Sequence, residues 1–215
     1  MGRYQVGIVI PALNEAETIA GIVESVKIYG LPIVVDDGST DHTAKLAMQA
    51  GAVVVSHPEN RGYDSALNTG FKKAAEFGSE IIITVDADGQ HNPLLIQQFI
   101  NAMADGADVV VGSRSQRQRF AEYIFAWYTN FRFGIKDPLC GMKAYRITVY
   151  KALGHFDSYG SIGTELMTFA AKNGFRLSQI SFDTRERKGP SRFGQVFTGN
   201  YKIIRALMLS TWRIK

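Results

Sequence analysis

The sequence predicts an α/β protein built on a doubly wound, mostly parallel sheet with helices on both faces. Three observations predict it. Short β-branched runs alternate strictly with helical stretches through the first half of the chain, the signature of right-handed crossover units. Those runs are almost continuously apolar, as strands are when helices cover both faces of a sheet. Polar clusters follow the runs directly, at the carboxyl ends where sheets of this kind bind ligands.

Taken in order, strands are expected over 5–10, 32–35, 52–56, 81–85 and 108–111, and helices over 16–29, 41–50, 65–77 and 93–105. The clusters at the strand ends are Asn14-Glu15, Asp36-Asp37, Asn60-Arg61, Asp86-Ala87-Asp88 and Ser113-Arg114. After Arg114 the character changes. Residues 115–119 are polar and basic, and 120–133 holds Phe120, Tyr123, Phe125, Trp127, Tyr128, Phe131 and Phe133. That density suits a half-buried core helix or an element at a lipid interface, where aromatic rings are favoured. A strand is expected over 141–145, a helix over about 163–173 closed by Gly174, and a strand over 177–182, glycine being the usual residue just past a helix end. A loop over 183–194 carries Arg185, Arg187, Lys188 and Arg192, and a last helix begins near 195. With no repeat, low-complexity stretch or linker, residues 1–194 are expected to form one domain. Residues 195–215 form an amphipathic helix that joins that domain or lies on a membrane interface.

Composition narrows the class. At 215 residues, 46% hydrophobic and 20% charged, the chain is an ordinary globular one, which excludes wholesale disorder. No apolar run approaches the ~18 residues of a membrane span, and the N-terminus lacks a signal-peptide pattern. The lone Cys140 excludes an internal disulfide framework and a multi-cysteine zinc site, and fits a reducing cytosol. The net charge of +4 is uneven: from Arg176 onward nine Lys/Arg face two acidic residues, a local +7. Such a tail is a solvated face or a landing site for phosphate or an anionic membrane. No helix-turn-helix, zinc-finger or RNP-like signature accompanies it, so nucleic acid is not an expected partner.

Asp86-Ala87-Asp88 closes the strand at 81–85. Two carboxylates with one residue between them can share Mg²⁺ or Mn²⁺ with a diphosphate, since these ions take a few carboxylates plus substrate phosphate oxygens; the alternative is a solvated turn. Asp36 and Asp37 precede Gly38-Ser39-Thr40-Asp41. Ser39, Thr40 or Asp41 suits a helix cap, whereas the acidic pair can accept hydrogen bonds from a nucleobase or ribose. A dinucleotide fold needs G-x-G-x-x-G after the first strand, and Pro11-Ala12-Leu13-Asn14-Glu15 stands there instead. P-loop, nucleophile-elbow and H-E-x-x-H signatures are also missing. His42 and His57 read as loop or capping positions and His155 as a surface turn; His91 alone adjoins the acidic motif.

The ordered set 11–15, 35–41, Asn60-Arg61-Gly62, Asp86-Ala87-Asp88-Gly89-Gln90-His91, Gly112-Ser113-Arg114 and 137–143 resembles family-2 glycosyltransferases, within them the dolichyl-phosphate mannose synthase and polyprenyl-phosphate glycosyltransferase branch. The resemblance covers residues 5 to about 194. It implies a GT-A fold and an inverting transfer from a nucleotide sugar (GDP-mannose, UDP-glucose or UDP-GlcNAc) to polyprenyl phosphate. It also implies that Pro11, Leu13, Asn14, Glu15, Asp36, Asp37, Arg61, Asp86 and Ala87 line the nucleotide. Asp86, Asp88 and Gln90 would hold Mg²⁺ or Mn²⁺, and Arg114 would approach phosphate. Two departures stand out: Gly189-Pro190-Ser191-Arg192 replaces the usual Gly-x-Ser-Lys, and Tyr63-Asp64-Ser65 replaces a small-residue stretch.

The acceptor follows from chemistry. A sugar hydroxyl needs a positioned general base, and the family's hydroxyl-acceptor enzymes usually carry an acidic pair in the second half. Here Asp137, Asp157, Glu165 and Asp183 stand singly. A polyprenyl phosphate is already anionic near neutral pH, its second pKa being about 6, and needs cations rather than a base. Arg117, Arg119, Arg185, Arg187, Lys188 and Arg192, with Ser191, are expected to hold it. The competing reading is a hydroxyl acceptor with Glu165 or Asp137 as base, or a nucleotide-sugar-binding subunit without catalysis. The expected location is the cytoplasmic face of a membrane, on the lipid surface, with a membrane-anchoring subunit as a further partner. The stripe Phe197, Tyr201, Ile204, Met208 and Trp212, flanked by Lys202, Arg205, Arg213 and Lys215, would lie on that surface.

Overall fold

In the computed structural model, which describes residues 5–89, 92–115, 119–183 and 196–213, seven strands form one sheet in the order β3-β2-β1-β4-β6-β5-β7. The strands are β1 (Val6–Ala12), β2 (Leu31–Asp36), β3 (Val53–Ser56), β4 (Ile81–Thr84), β5 (Val109–Arg114), β6 (Lys143–Arg146) and β7 (Leu177–Phe182). The helices are α1 (Ile19–Val26), α2 (Thr43–Gln49), α3 (Tyr63–Glu76), α4 (Leu95–Ala104), α5 (Phe120–Phe133), α6 (Ile147–Leu153), α7 (Glu165–Lys172) and α8 (Val196–Arg213). β1 pairs in parallel with β2 and β4, β2 with β3, and β5 with β7. β6 alone runs antiparallel, between β4 and β5. The expected doubly wound α/β architecture is present.

Period-two alternation divides the core. Ile8, Ile10, Val34 and Ile83 face one side and pack against Ile19, Val23, Ile96 and Phe99 of α1 and α4. Val9, Ile33 and Ile82 face the other and pack against Leu67, Phe71, Leu166 and Met167 of α3 and α7. Because both faces are covered, the central strands read as continuous apolar runs. α3 approaches β1 so closely that a Cβ at Gly70 would overlap Val9, which fixes the start of α3 over the carboxyl end of the sheet.

The fold departs from the sequence expectations at two points. The strand expected over 141–145 begins two residues later, because Gly141 lies against the Asp86 carboxylate instead of entering the ladder. α6 was not foreseen; its seven residues, ITVYKAL, are β-branched at three positions and read as strand-like. α8 packs on α5, with Ala121, Phe125, Ile203 and Ala206 buried between them. Phe125 is buried, while Phe120, Tyr123, Trp127 and Phe131 are exposed along α5. The helix ends at Gly134, whose φ of 71° lets its N–H return to Asn130 and Thr129.

Candidate functional site

The carboxyl ends of β1, β2, β4 and β5 converge, and the side chains there fall into a framework and an open centre. On the β1–β2 side the framework is dense. Asn14 takes a φ of 51°, a left-handed conformation asparagine tolerates. Its N–H donates to Ser39 Oγ (2.8 Å), and its Oδ1 accepts from the Thr40 N–H (2.8 Å). The Glu15 N–H donates to Thr43 Oγ1 (2.7 Å). Ser39 and Thr40 therefore join two loops instead of capping α2, while Asp41 Oδ1, one residue before the N-cap His42, accepts from the Thr43 N–H (2.9 Å).

Asp36 and Asp37 are both buried, but for different ends. Asp36 accepts from the Ser39 N–H at 3.3 Å. Asp37 accepts from the main-chain N–H groups of Arg61 (3.0 Å) and Gly62 (2.8 Å) and meets His57 Nδ1 at 2.6 Å. His57 Nε2 continues to Thr69 Oγ1 at 2.9 Å on α3. Asp37 thus shapes the Asn60–Gly62 turn, and His57, expected as a loop residue, is a buried link from that turn to α3. Arg61 is exposed, and Pro11, within the end of β1, and Leu13, just past it, are half-buried. Only the burial of an imidazole beside a carboxylate reveals His57; its sequence neighbours do not.

Asp86 and Asp88 follow β4, with Ala87 buried between them. A Cβ at Gly141 would collide with the Asp86 carboxylate, so that glycine is what lets Asp86 lie flat at the strand end. The Tyr63 hydroxyl donates to Asp86 Oδ1 at 3.4 Å. Among the described residues no three His, Cys, Asp or Glu side chains gather into a self-sufficient metal site. Two carboxylates with room for further oxygen ligands fit Mg²⁺ or Mn²⁺ completed by a substrate diphosphate. Gln90, expected as a third ligand, lies outside the described residues, as do Arg117, Arg185, Arg187, Lys188, Ser191 and Arg192.

Beyond β4, Arg114, Arg119, Glu122 and Asp137 are paired with each other. The Arg114 guanidinium donates to both oxygens of Asp137 (2.8 and 3.0 Å) and to Glu122 Oε2 (3.1 Å), and its main-chain N–H also reaches Asp137. Arg119 Nη1 stands 3.7 Å from Glu122 Oε1. Burial opposes both charges of the Arg114–Asp137 pair, yet their bidentate contact holds the guanidinium above and the carboxyl below their ordinary pKa values. Arg114, expected to reach phosphate, is therefore already neutralised. Glu122 was missed, although an acid among the apolar positions of α5 was the available signal.

Asp137 and Glu165, expected as alternative bases, both accept hydrogen bonds from neighbouring parts of the fold. Asp137 is 1% exposed and held by Arg114. Glu165 accepts from the Ser158 N–H (2.5 Å) and hydroxyl (2.8 Å) and meets His155 Nε2 at 3.0 Å. The turn they help build is fastened to α3 by Asn68, which binds main-chain atoms of Phe156 and Asp157. Asp64 fastens it too, accepting from the Ile162 (3.2 Å) and Gly163 (2.6 Å) N–H groups. Burial, and then the nearby Asp157 charge, push the Asp64 carboxyl up to about 6. Cys140 is pushed up to about 12 by burial beside Asp137 and is an inert thiol.

Two shallow depressions meet at Ser113. One is lined by Arg114, Ser115, Ser181, Phe182 and Asp183. The other runs along α5 past Tyr123, Ala126, Trp127 and Asn130 to Lys136.

Known proteins resemble this chain in sequence and in fold. The family model described as glycosyl transferase family 2 matches residues 7–122, just over half of the 215 residues. An uncharacterized protein of Methanocaldococcus jannaschii is 30% identical over 97% of this chain and 93% of its own length. A polyprenol monophosphomannose synthase of Mycolicibacterium smegmatis is 29% identical over 84% of this chain and 77% of its own. Among solved structures, the glucosyl-3-phosphoglycerate synthase of Mycobacterium tuberculosis, in complex with Mn²⁺, uridine diphosphate and glucosyl-3-phosphoglycerate, has a TM-score of 0.76 at 22% identity. That match covers 97% of this chain and 80% of that one. The chain belongs to glycosyl transferase family 2, and its fold is GT-A.

Proposed function

We propose that the protein transfers a sugar from a nucleotide sugar to a polyprenyl phosphate, with inversion at the anomeric carbon. A phosphate oxygen of the acceptor forms the new bond to that carbon as the bond to the donor's diphosphate breaks, and nucleoside diphosphate leaves. The observation that carries this reading is the state of the two candidate bases. Asp137 is held by Arg114, and Glu165 by Ser158 and His155, contacts that favour the ionised carboxylates and weaken either as a base for a hydroxyl acceptor. An acceptor that arrives as an anion needs no such group. The name of the M. smegmatis relative points to the same acceptor class.

Asp86 and Asp88 would hold Mg²⁺ or Mn²⁺, which when bound offsets the charge of the departing diphosphate. Asp36, Asn14 and the Asp37-shaped turn would frame the nucleoside. The membrane surface is the expected meeting place. No described helix is long and apolar enough to cross a bilayer. Yet α5 turns Phe120, Tyr123, Trp127 and Phe131 outward, and α8 adds Tyr201 and Met208, a composition that favours the bilayer interface. The depression along Tyr123 and Trp127 would lead a lipid from that surface to Ser113.

The test is direct. Pure protein with Mg²⁺ or Mn²⁺ and a panel of GDP- and UDP-sugars is given either a polyprenyl phosphate or free sugars. Sugar-phosphate lipid should appear, with nucleoside diphosphate in equal amount; transfer to free sugars with none to lipid phosphate overturns the proposal.

A further inference from the structure

Lys143 opens β6 opposite Thr84 of β4 and Val111 of β5, between the strand ends that carry Asp86 and Arg114. It is 4% exposed. Its ammonium makes one hydrogen bond, 2.9 Å to the Gly163 carbonyl, and no ion pair among the described residues. Arg114, by contrast, has two carboxylates. Tyr63 and Lys143 converge at Gly163, where a Cβ would stand 3.5 Å from Tyr63 Cε1 and 3.8 Å from Lys143 Nζ. The Tyr63 hydroxyl in turn reaches Asp86. The buried ammonium therefore lies behind the face of the site where the diphosphate and the acceptor would meet.

A neutral donor could satisfy the Gly163 carbonyl. A full charge withdrawn from water is far harder to accommodate, and buried charges are otherwise paired or bind ligands. Burial also lowers the proton affinity of Lys143, although Cys140, Asp137 and Asp86 act the other way.

We propose that the Lys143 ammonium receives a phosphate oxygen in the reacting complex, making it a substrate-binding residue of the transfer. The inference rests on the glycosyl transfer proposed above. The oxygen belongs either to the donor's diphosphate or to the acceptor's monophosphate, and two measurements separate these sources. One is affinity for GDP or UDP with Mg²⁺ by calorimetry, which needs no turnover. The other is kcat/KM for a short polyprenyl phosphate at saturating donor.

Lys143→Met keeps the length and removes the charge, so it should fold with an unchanged or higher Tm. It should lose roughly tenfold to hundredfold in one of the two measurements, the size of one charge-assisted contact. Loss in nucleotide affinity assigns the oxygen to the donor, and loss in kcat/KM alone assigns it to the acceptor. Lys143→Arg should recover most of either. Lys143→Gln can still donate to Gly163 but carries no charge, and should behave like Lys143→Met. Wild-type values in Lys143→Met, or full rescue by Lys143→Gln, would make Lys143 a structural anchor and overturn the inference. If the wild type binds nucleotide through Lys143 yet transfers nothing to lipid phosphate, the acceptor assignment falls and the donor contact stands.

Discussion

The two sides of the sheet's carboxyl edge are organised on different principles. On the β2–β1 side, polar side chains bind main-chain N–H groups: Asp37 holds the turn at 61–62, Asn14 and Ser39 join their loops, and Asp41 accepts from the Thr43 N–H. On the β6–β5 side, side chains bind one another: Arg114 with Asp137 and Glu122, Arg119 with Glu122. The first side fixes backbone. The second fixes charge. There an anion must find a cation that is not already paired, and Lys143, whose ammonium binds a main-chain carbonyl and no carboxylate among the described residues, is such a group.

Between the two sides stand Asp86 and Asp88, and losing them should erase the contrast altogether. Asp88→Ala is expected to lower transfer by ~10³-fold or more, the scale of removing preorganised charge stabilisation, with thermal unfolding little changed. Near-normal turnover in added Mn²⁺ would remove the metal from the mechanism.

Gly141→Ala asks whether β6 is placed to seat Asp86. Its methyl would overlap that carboxylate, a clash of the kind that costs about 1–3 kcal/mol. We expect a tenfold to hundredfold fall in metal-dependent nucleotide affinity, measured by titration with Mn²⁺ present, and a smaller fall in Tm.

The β2–β1 side is tested by His57→Ala. Two buried hydrogen bonds disappear and Asp37 loses a partner, about 1–3 kcal/mol in all. Tm should drop by several degrees, and nucleotide affinity should fall more than acceptor kcat/KM. The reverse order would mean that this network serves the other side of the edge.

Trp127→Ser with Phe131→Ser addresses the outer face of α5. Both rings are exposed and stacked at 6.2 Å, so the fold should hold. Co-sedimentation with anionic vesicles should weaken roughly tenfold, in keeping with ~1.5 kcal/mol or more for each aromatic withdrawn from an apolar phase, while nucleotide affinity is unaltered. Unchanged vesicle binding would mean that this face does not meet lipid.

The smallest effect concerns pH. Asp64 titrates near 6 in the folded chain, above its ordinary value of 3.8. The folded state therefore binds this proton more tightly than the unfolded state, and the group adds stability as pH falls from about 6 to about 4. The Tm of the wild type minus that of Asp64→Asn should rise over that interval, and a flat difference would place Asp64 in a better solvated setting.

Much of this was legible in the residues. The strands at 177–182 and 81–84, the helix at 120–133 and the pairing of Asp86 with Asp88 at a strand end follow from local pattern. α6 was hidden because β-branched residues leave a short helix indistinguishable from a strand until the sheet is seen to pack against it. The sequence by itself determined which chemistry could occur: apolar periodicity sets the layers, and strand-end carboxylates set the metal and diphosphate binding that is possible. Only tertiary structure decided which charged groups remain available for it. Asp37, Asp137, Glu165 and Arg114 all read as ligand-facing in one dimension, and each is engaged by a partner at least 20 positions away or by a turn that folds back on it. Hydrogen bonds and ion pairs act over about 3 Å of space, and separation along a chain carries no information at that range.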